Sequence, residues 1–203
     1  MTTIDNTWFD DAFSGNPVMA ILRGFGPERT VELAELAWSL GIGLVEVPIQ
    51  SDTDVEALRQ CVAAGAAKGH FVGAGTVLNA RDVERAREAG AVFTVSPGLS
   101  EEVVRASIEA GLAPLPGVAT PSDVQSAQNL GLTWLKAFPA SVLTPAWFKA
   151  IRGPFPGVRF VATGGIDARN AGDYLGAGAK VVGVGSALED EAQLPLLAAL
   201  SGT

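Results

Sequence analysis

The chain has 203 residues, 48% apolar and 18% charged, which is the composition of one ordinary globular domain and excludes a disordered segment. Its 24 glycines follow no three-residue period and its 12 prolines are too few for a low-complexity chain, so the glycines are expected in tight turns. A net charge of −8, without a basic cluster, argues against a nucleic-acid partner, and one histidine with one cysteine argues against a zinc site, while carboxylate-bound magnesium stays open.

Cys61 has no second cysteine to pair with, and the start MTTIDNTWFDDAF has neither the basic end nor the apolar run of a signal peptide. A cytoplasmic setting is the expectation. Every apolar stretch is broken by Gly, Pro or a charge before the roughly 20 residues a membrane span needs, so no membrane partner is expected.

In chain order, Ile4, Trp8 and Ala12, with Phe9 and Phe13 one position round, form an apolar stripe at helical spacing. It predicts an N-terminal helix that covers one end of the domain. Short runs rich in Val, Ile and Phe then predict strands at 18–22, 44–49, 71–75, 92–96, 113–116, 133–138, 159–163 and 180–183. Helices are predicted from 27, 53, 80, 100, 121, 144, 167 and 189. Ser100, Thr120 with Pro121, and Asp167 mark helix starts; Gly41, Gly90, Gly111, Gly131 and Gly178 mark helix ends. Eight βα units without a linker predict a single α/β domain over residues 1–203, a (β/α)8 TIM barrel with an extra N-terminal helix. An open doubly wound sheet is the alternative.

In such a barrel the reacting groups stand at the C-terminal ends of the strands. Lys68 and Lys180 fall where strands begin and Lys149 falls in a helix, which leaves Lys136, in TWLKAFP, as the lysine within a strand. Flanked by Trp134, Leu135, Ala137 and Phe138, its ammonium loses hydration, which favours a neutral amine able to attack a carbonyl. Glu46, alternating with Val45 and Val47 in LVEVPI, is expected to point inward and to face Lys136 as a proton-transfer group. A structural ion pair is the plainer alternative for both.

Arg23, in ILRGFG, is the arginine placed just past a strand, where a guanidinium can hold a carboxylate, and Thr76 adds a hydroxyl nearby; an ion pair with a loop acid is the alternative for Arg23. The turns TGGID and GVGSAL, after the last two strands, present Gly164, Gly165, Gly185 and Ser186 where backbone N–H groups of such barrels bind phosphate.

GAGTVL, SPGL, LKAFPA and FVATGGI, in this order between residues 18 and 188, resemble the 2-keto-3-deoxy-6-phosphogluconate and 2-keto-3-deoxy-6-phosphogalactonate aldolases. The resemblance implies a class I aldolase, a homotrimer, that cleaves a phosphorylated keto-deoxy sugar acid to pyruvate and glyceraldehyde 3-phosphate with no metal or organic cofactor. It implies Lys136 as the Schiff-base lysine, Glu46 as the proton carrier, Thr76 and Pro97 in the pyruvate pocket, and Gly164, Gly165 and Ser186 on the phosphate. Gluconate-type members tend to carry arginine where Gln50 stands, and Arg23 resembles the galactonate-type arrangement, whereas Thr163 resembles the gluconate type; Gln50 and Thr163 are both expected among the substrate-binding residues. The preferred C4 epimer is open at this point. So are two other functions, a phosphosugar isomerase or epimerase and a non-catalytic phosphosugar-binding barrel.

Overall fold

A computed structural model describes residues 6–202, and among these nine strands run parallel in one sheet. They are β1 (Val18–Ile21), β2 (Leu44–Pro48), β3 (Phe71–Gly75), β4 (Phe93–Val95), β5 (Ala113–Leu115), β6 (Gly117–Val118), β7 (Trp134–Ala137), β8 (Arg159–Thr163) and β9 (Val181–Val184). The order β5-β4-β3-β2-β1-β9-β8-β7-β6 puts two consecutive pieces of chain at opposite ends of the sheet. Residues 113–118 therefore both begin and end it, and the sheet closes into a barrel of eight positions, the TIM barrel that the βα pattern predicts.

Pro114 and Pro116 explain why that one run counts as two strands. The N–H of Ala113 donates to Val92 on the β4 side, so positions 114 and 116 face β7, where proline has no N–H to give. Their carbonyls remain. Pro116 accepts from the Lys136 N–H at 2.9 Å, and Pro114 accepts from Nδ2 of Asn6 at 3.2 Å. Asn6 Nδ2 also donates to the Trp134 carbonyl at 2.9 Å, and its Oδ1 accepts from the N–H groups of Thr133 and Trp134 at 3.0 and 3.3 Å. One buried amide side chain thus stands in for a rung of the ladder between β5 and β7.

The helices are α1 (Trp8–Ala12), α2 (Pro27–Ser39), α3 (Asp52–Ala66), α4 (Ala80–Glu88), α5 (Glu101–Glu109), α6 (Pro121–Asn129), α7 (Ala140–Ile151), α8 (Ala171–Ala177) and α9 (Leu194–Leu200). Ser51, Asn79, Ser100 and Thr120 cap α3 to α6 by accepting the N–H three residues on. Gly41, Gly90, Gly111, Gly131 and Gly178 follow helices with φ between 77° and 112°, the left-handed stop that the pattern predicts.

Three helix starts differ from the sequence expectation. α7 begins at Ala140 and is kinked at Thr144, whose φ of 62° breaks the ladder before Pro145 restarts it. α8 begins at Ala171, because Asp167 and Asn170 bind each other's backbone N–H and hold a turn. The expected helix from 189 is a short 3-10 turn, Ser186–Glu189, and then α9, with Asp190 accepting from Ala192 between them. Ile4 of the N-terminal stripe lies outside the described residues.

Inside the barrel two layers alternate with the pleat. The lower layer is apolar: Met19, Leu44, Phe93, Val95, Leu115, Trp134, Val161 and Val181 form one buried cluster, plugged from below by Phe9 and Phe13 of the α1 segment. Two residues beyond Met19, Leu44, Leu115, Trp134, Val161 and Val181 stand Ile21, Glu46, Gly117, Lys136, Thr163 and Gly183, with Gly75 of β3 beside Glu46. Outward-facing Val45, Val47, Leu135 and Ala137 belong instead to the larger core beneath the helices.

Candidate active site

Lys136 stands in the upper layer of β7, and Glu46 lies across the barrel from it on β2. Nζ of Lys136 is 3.7 Å from Oε1 of Glu46, with the two residues 4% and 0% exposed. That separation makes an ion pair without a hydrogen bond, and neither carboxylate oxygen of Glu46 accepts one from any described group. A carboxylate held in this way is costly to bury, and its lone pairs remain available to whatever forms at Nζ. The Phe138 ring, 5.2 Å from Nζ, covers the ammonium from the side.

Glycines let the neighbours of this pair pack closely around the barrel mouth. A β-carbon on Gly117 would lie 2.1 Å from the Pro97 carbonyl oxygen, so its absence lets the Pro97 backbone reach the barrel mouth. One on Gly183 would lie 2.7 Å from Thr163 Cγ2 and 2.8 Å from Ile21 Cδ1.

A cavity of about 630 Å³ opens above Lys136. Arg23, Thr76, Pro97, Lys136, Thr163, Gly164, Gly165, Gly185 and Ser186 all line it, together with Ile21, Phe25, Phe138 and Ile166. The last four escape a sequence reading because an apolar residue near a strand end has the same signature whether it faces core or substrate. Gln50 is placed differently: it is outside the lining and receives a hydrogen bond from Nη1 of Arg23. Arg23 and Gln50 follow β1 and β2, which are adjacent strands with Ile21 level with Glu46.

Thr76 holds φ at 57°, a costly conformation for a β-branched residue. The next residue is pinned on both sides, Val77 N–H donating to Val95 and its carbonyl accepting from Ser96 Oγ at 2.8 Å. At the other rim, Gly164 and Gly165 have φ of 92° and 77°, and a β-carbon on Gly165 would lie 2.7 Å from that of Ser141. This double-glycine turn and the Gly185–Ser186 turn bring backbone to the cavity wall with no side chain larger than serine. The Thr163 hydroxyl is buried there without a hydrogen-bond partner.

None of the lining residues is Asp, Glu or His. The histidine, His70, lies at the lower end of the barrel stacked 4.8 Å from Trp38, with its pKa held below the ordinary value by burial and by the Lys68 ammonium. Among the described residues no group of three or more His, Cys, Asp or Glu could hold a metal ion, and no helix is long and apolar enough to cross a membrane.

The family model described as KDPG and KHG aldolase matches residues 10–196. The chain belongs to this aldolase family. A probable 2-dehydro-3-deoxy-6-phosphogalactonate aldolase of Rhizobium meliloti is 36% identical over 85% of this chain and 81% of its own length. The KHG/KDPG aldolase of Escherichia coli is 36% identical over 78% of this chain and 74% of its own. Among solved structures, the KDPG aldolase of Legionella pneumophila, with pyruvate captured at low pH as a covalent carbinolamine, superposes with a TM-score of 0.81 at 30% identity over 94% of both chains.

Proposed function

We propose that this aldolase cleaves 2-keto-3-deoxy-6-phosphogluconate or its galactonate epimer to pyruvate and glyceraldehyde 3-phosphate through an imine on Lys136. The buried Lys136–Glu46 pair beneath an open cavity carries the reading. Glu46 takes a proton from the Lys136 ammonium, the freed amine attacks the C2 carbonyl, Glu46 returns that proton to the carbinolamine hydroxyl so that it leaves as water, and the resulting iminium draws electrons from C3–C4. Glu46, again a carboxylate, takes the C4 hydroxyl proton as that bond breaks, which releases the aldehyde and leaves an enamine. Protonation at C3 and hydrolysis return pyruvate and the amine.

Arg23 holds the carboxylate beside the reacting carbonyl, Thr76 and Pro97 bound the pyruvate end, and the Gly164–Gly165 and Gly185–Ser186 turns take the phosphate, with Thr163 between them. A non-covalent isomerase needs a second acid–base group besides Glu46, and the cavity lining holds no carboxylate or imidazole to serve as one. A homotrimer, and a cytoplasmic setting suited to one unpaired cysteine, belong to the same reading.

Borohydride reduction in the presence of pyruvate, followed by peptide mass mapping, is the test. The added mass is expected on Lys136 alone; labelling at Lys68, Lys149 or Lys180, or none, would remove the imine assignment. A binding barrel without catalysis would trap nothing.

A further inference from the structure

Among the described residues Arg23 pairs with no carboxylate; its partner is the neutral Oε1 of Gln50. Gln50 is itself held from behind. Its N–H donates to Oδ2 of Asp54 at 3.1 Å, and the same oxygen accepts from Ser51 Oγ at 2.7 Å. Ser51 Oγ in turn caps α3 by accepting the Asp54 N–H. A chain of contacts thus runs from the first turn of α3, through the end of β2, to a guanidinium in the cavity wall.

The chemistry of the acceptor is decisive. An amide oxygen fixes one N–H of the guanidinium and leaves both its charge and its remaining donors for an anion. A carboxylate in the same place would neutralise Arg23 and compete with the substrate.

We infer that Gln50 is a positioning residue that aims Arg23 at the carboxylate of the 2-keto acid, and that it does not bind substrate itself. The inference rests on the carboxylate-holding role of Arg23 proposed above. Gln50 works through another side chain, so its effect must vanish once that side chain is gone.

The test measures half-saturation by pyruvate of borohydride inactivation in the native protein, Gln50→Leu, Arg23→Ala and the double variant. Gln50 is exposed, so folding is not at stake. Gln50→Leu is expected to raise half-saturation roughly fivefold, the scale of one net hydrogen bond, with the inactivation rate at saturating pyruvate unchanged. Arg23→Ala is expected to raise it further, and the double variant to match Arg23→Ala. Gln50→Glu is expected to bind pyruvate worse than Gln50→Leu, because a neighbouring anion cancels the guanidinium charge. A double variant weaker than Arg23→Ala by the full Gln50→Leu factor would overturn the inference, since Gln50 would then act independently. Native half-saturation in Gln50→Leu beside a weakened Arg23→Ala would overturn it while leaving the Arg23 role intact. Native half-saturation in Arg23→Ala would overturn that role and the inference with it.

Discussion

A β-carbon on Gly75 would stand 2.1 Å from Oε1 of Glu46 and 2.7 Å from its Cγ. Strands β2 and β3 are in register with Pro48 level with Gly75, and the Glu46 side chain lies over the floor that Gly75 leaves bare. The direction of Glu46 toward Lys136 is therefore set as much by a missing side chain on the neighbouring strand as by Glu46 itself.

Gly75→Ala is expected to push the carboxylate off that floor. Cleavage should fall about 10²-fold, the scale on which an ångström of misplacement acts, while pyruvate is still trapped on Lys136. Overpacking should cost about 1–3 kcal/mol in urea unfolding. A Gly75→Ala protein with native cleavage rates would show that the position of Glu46 is not critical.

Glu46→Gln keeps the shape of the side chain and deletes its basicity. Deuterium exchange into the pyruvate methyl group, followed by NMR, should slow by roughly 10²–10⁴-fold, the usual range for a general acid–base group, with imine trapping slowed less. Native exchange would assign the proton to another group.

Asn6→Ala removes an amide that serves Pro114, Thr133 and Trp134 at once. With buried carbonyls left unpaired, the urea midpoint should drop by the equivalent of about 2–4 kcal/mol, and kcat at low temperature should stay native. Asn6→Asp, which keeps the acceptor and loses the donor, should be comparably damaging. An unchanged midpoint in both would mean that the seam closes without Asn6.

Burial pushes the Cys61 thiol up to about 12, from an ordinary value near 9.0. A folded-state value above the unfolded one means stability that is fully present below pH 9 and is lost as pH rises toward 12. At pH 8 a thiol reagent should modify Cys61 only as fast as the protein opens, with labelling in urea following the unfolding curve. Rapid labelling of the native protein would contradict the burial.

The barrel was legible because buried strands and helices differ in period, and because glycine stops recur at the helix ends. Period two also pointed Glu46 and Lys136 into one interior. The division at 113–118 was not legible: Pro114 and Pro116 are plain in the sequence, but that their missing N–H groups face β7 follows only from which neighbour Ala113 bonds. The Gln50–Arg23 contact was hidden for a similar reason. Each residue signals a polar loop position by itself, and only the adjacency of β1 and β2 turns two such positions into a pair.

The two-layered interior ties the height of the reactive groups to residues that never meet substrate. Leu44 and Trp134 sit in the apolar plug two positions before Glu46 and Lys136, so the plug acts as a gauge block against which both are set. A one-residue slip in β2 would turn Glu46 toward the helices, bring a valine to face Lys136, and lift Leu44 out of the plug. Any slip that spoils the chemistry therefore also exposes apolar surface, and the same hydrophobic free energy that folds the barrel holds its acid–base pair in register.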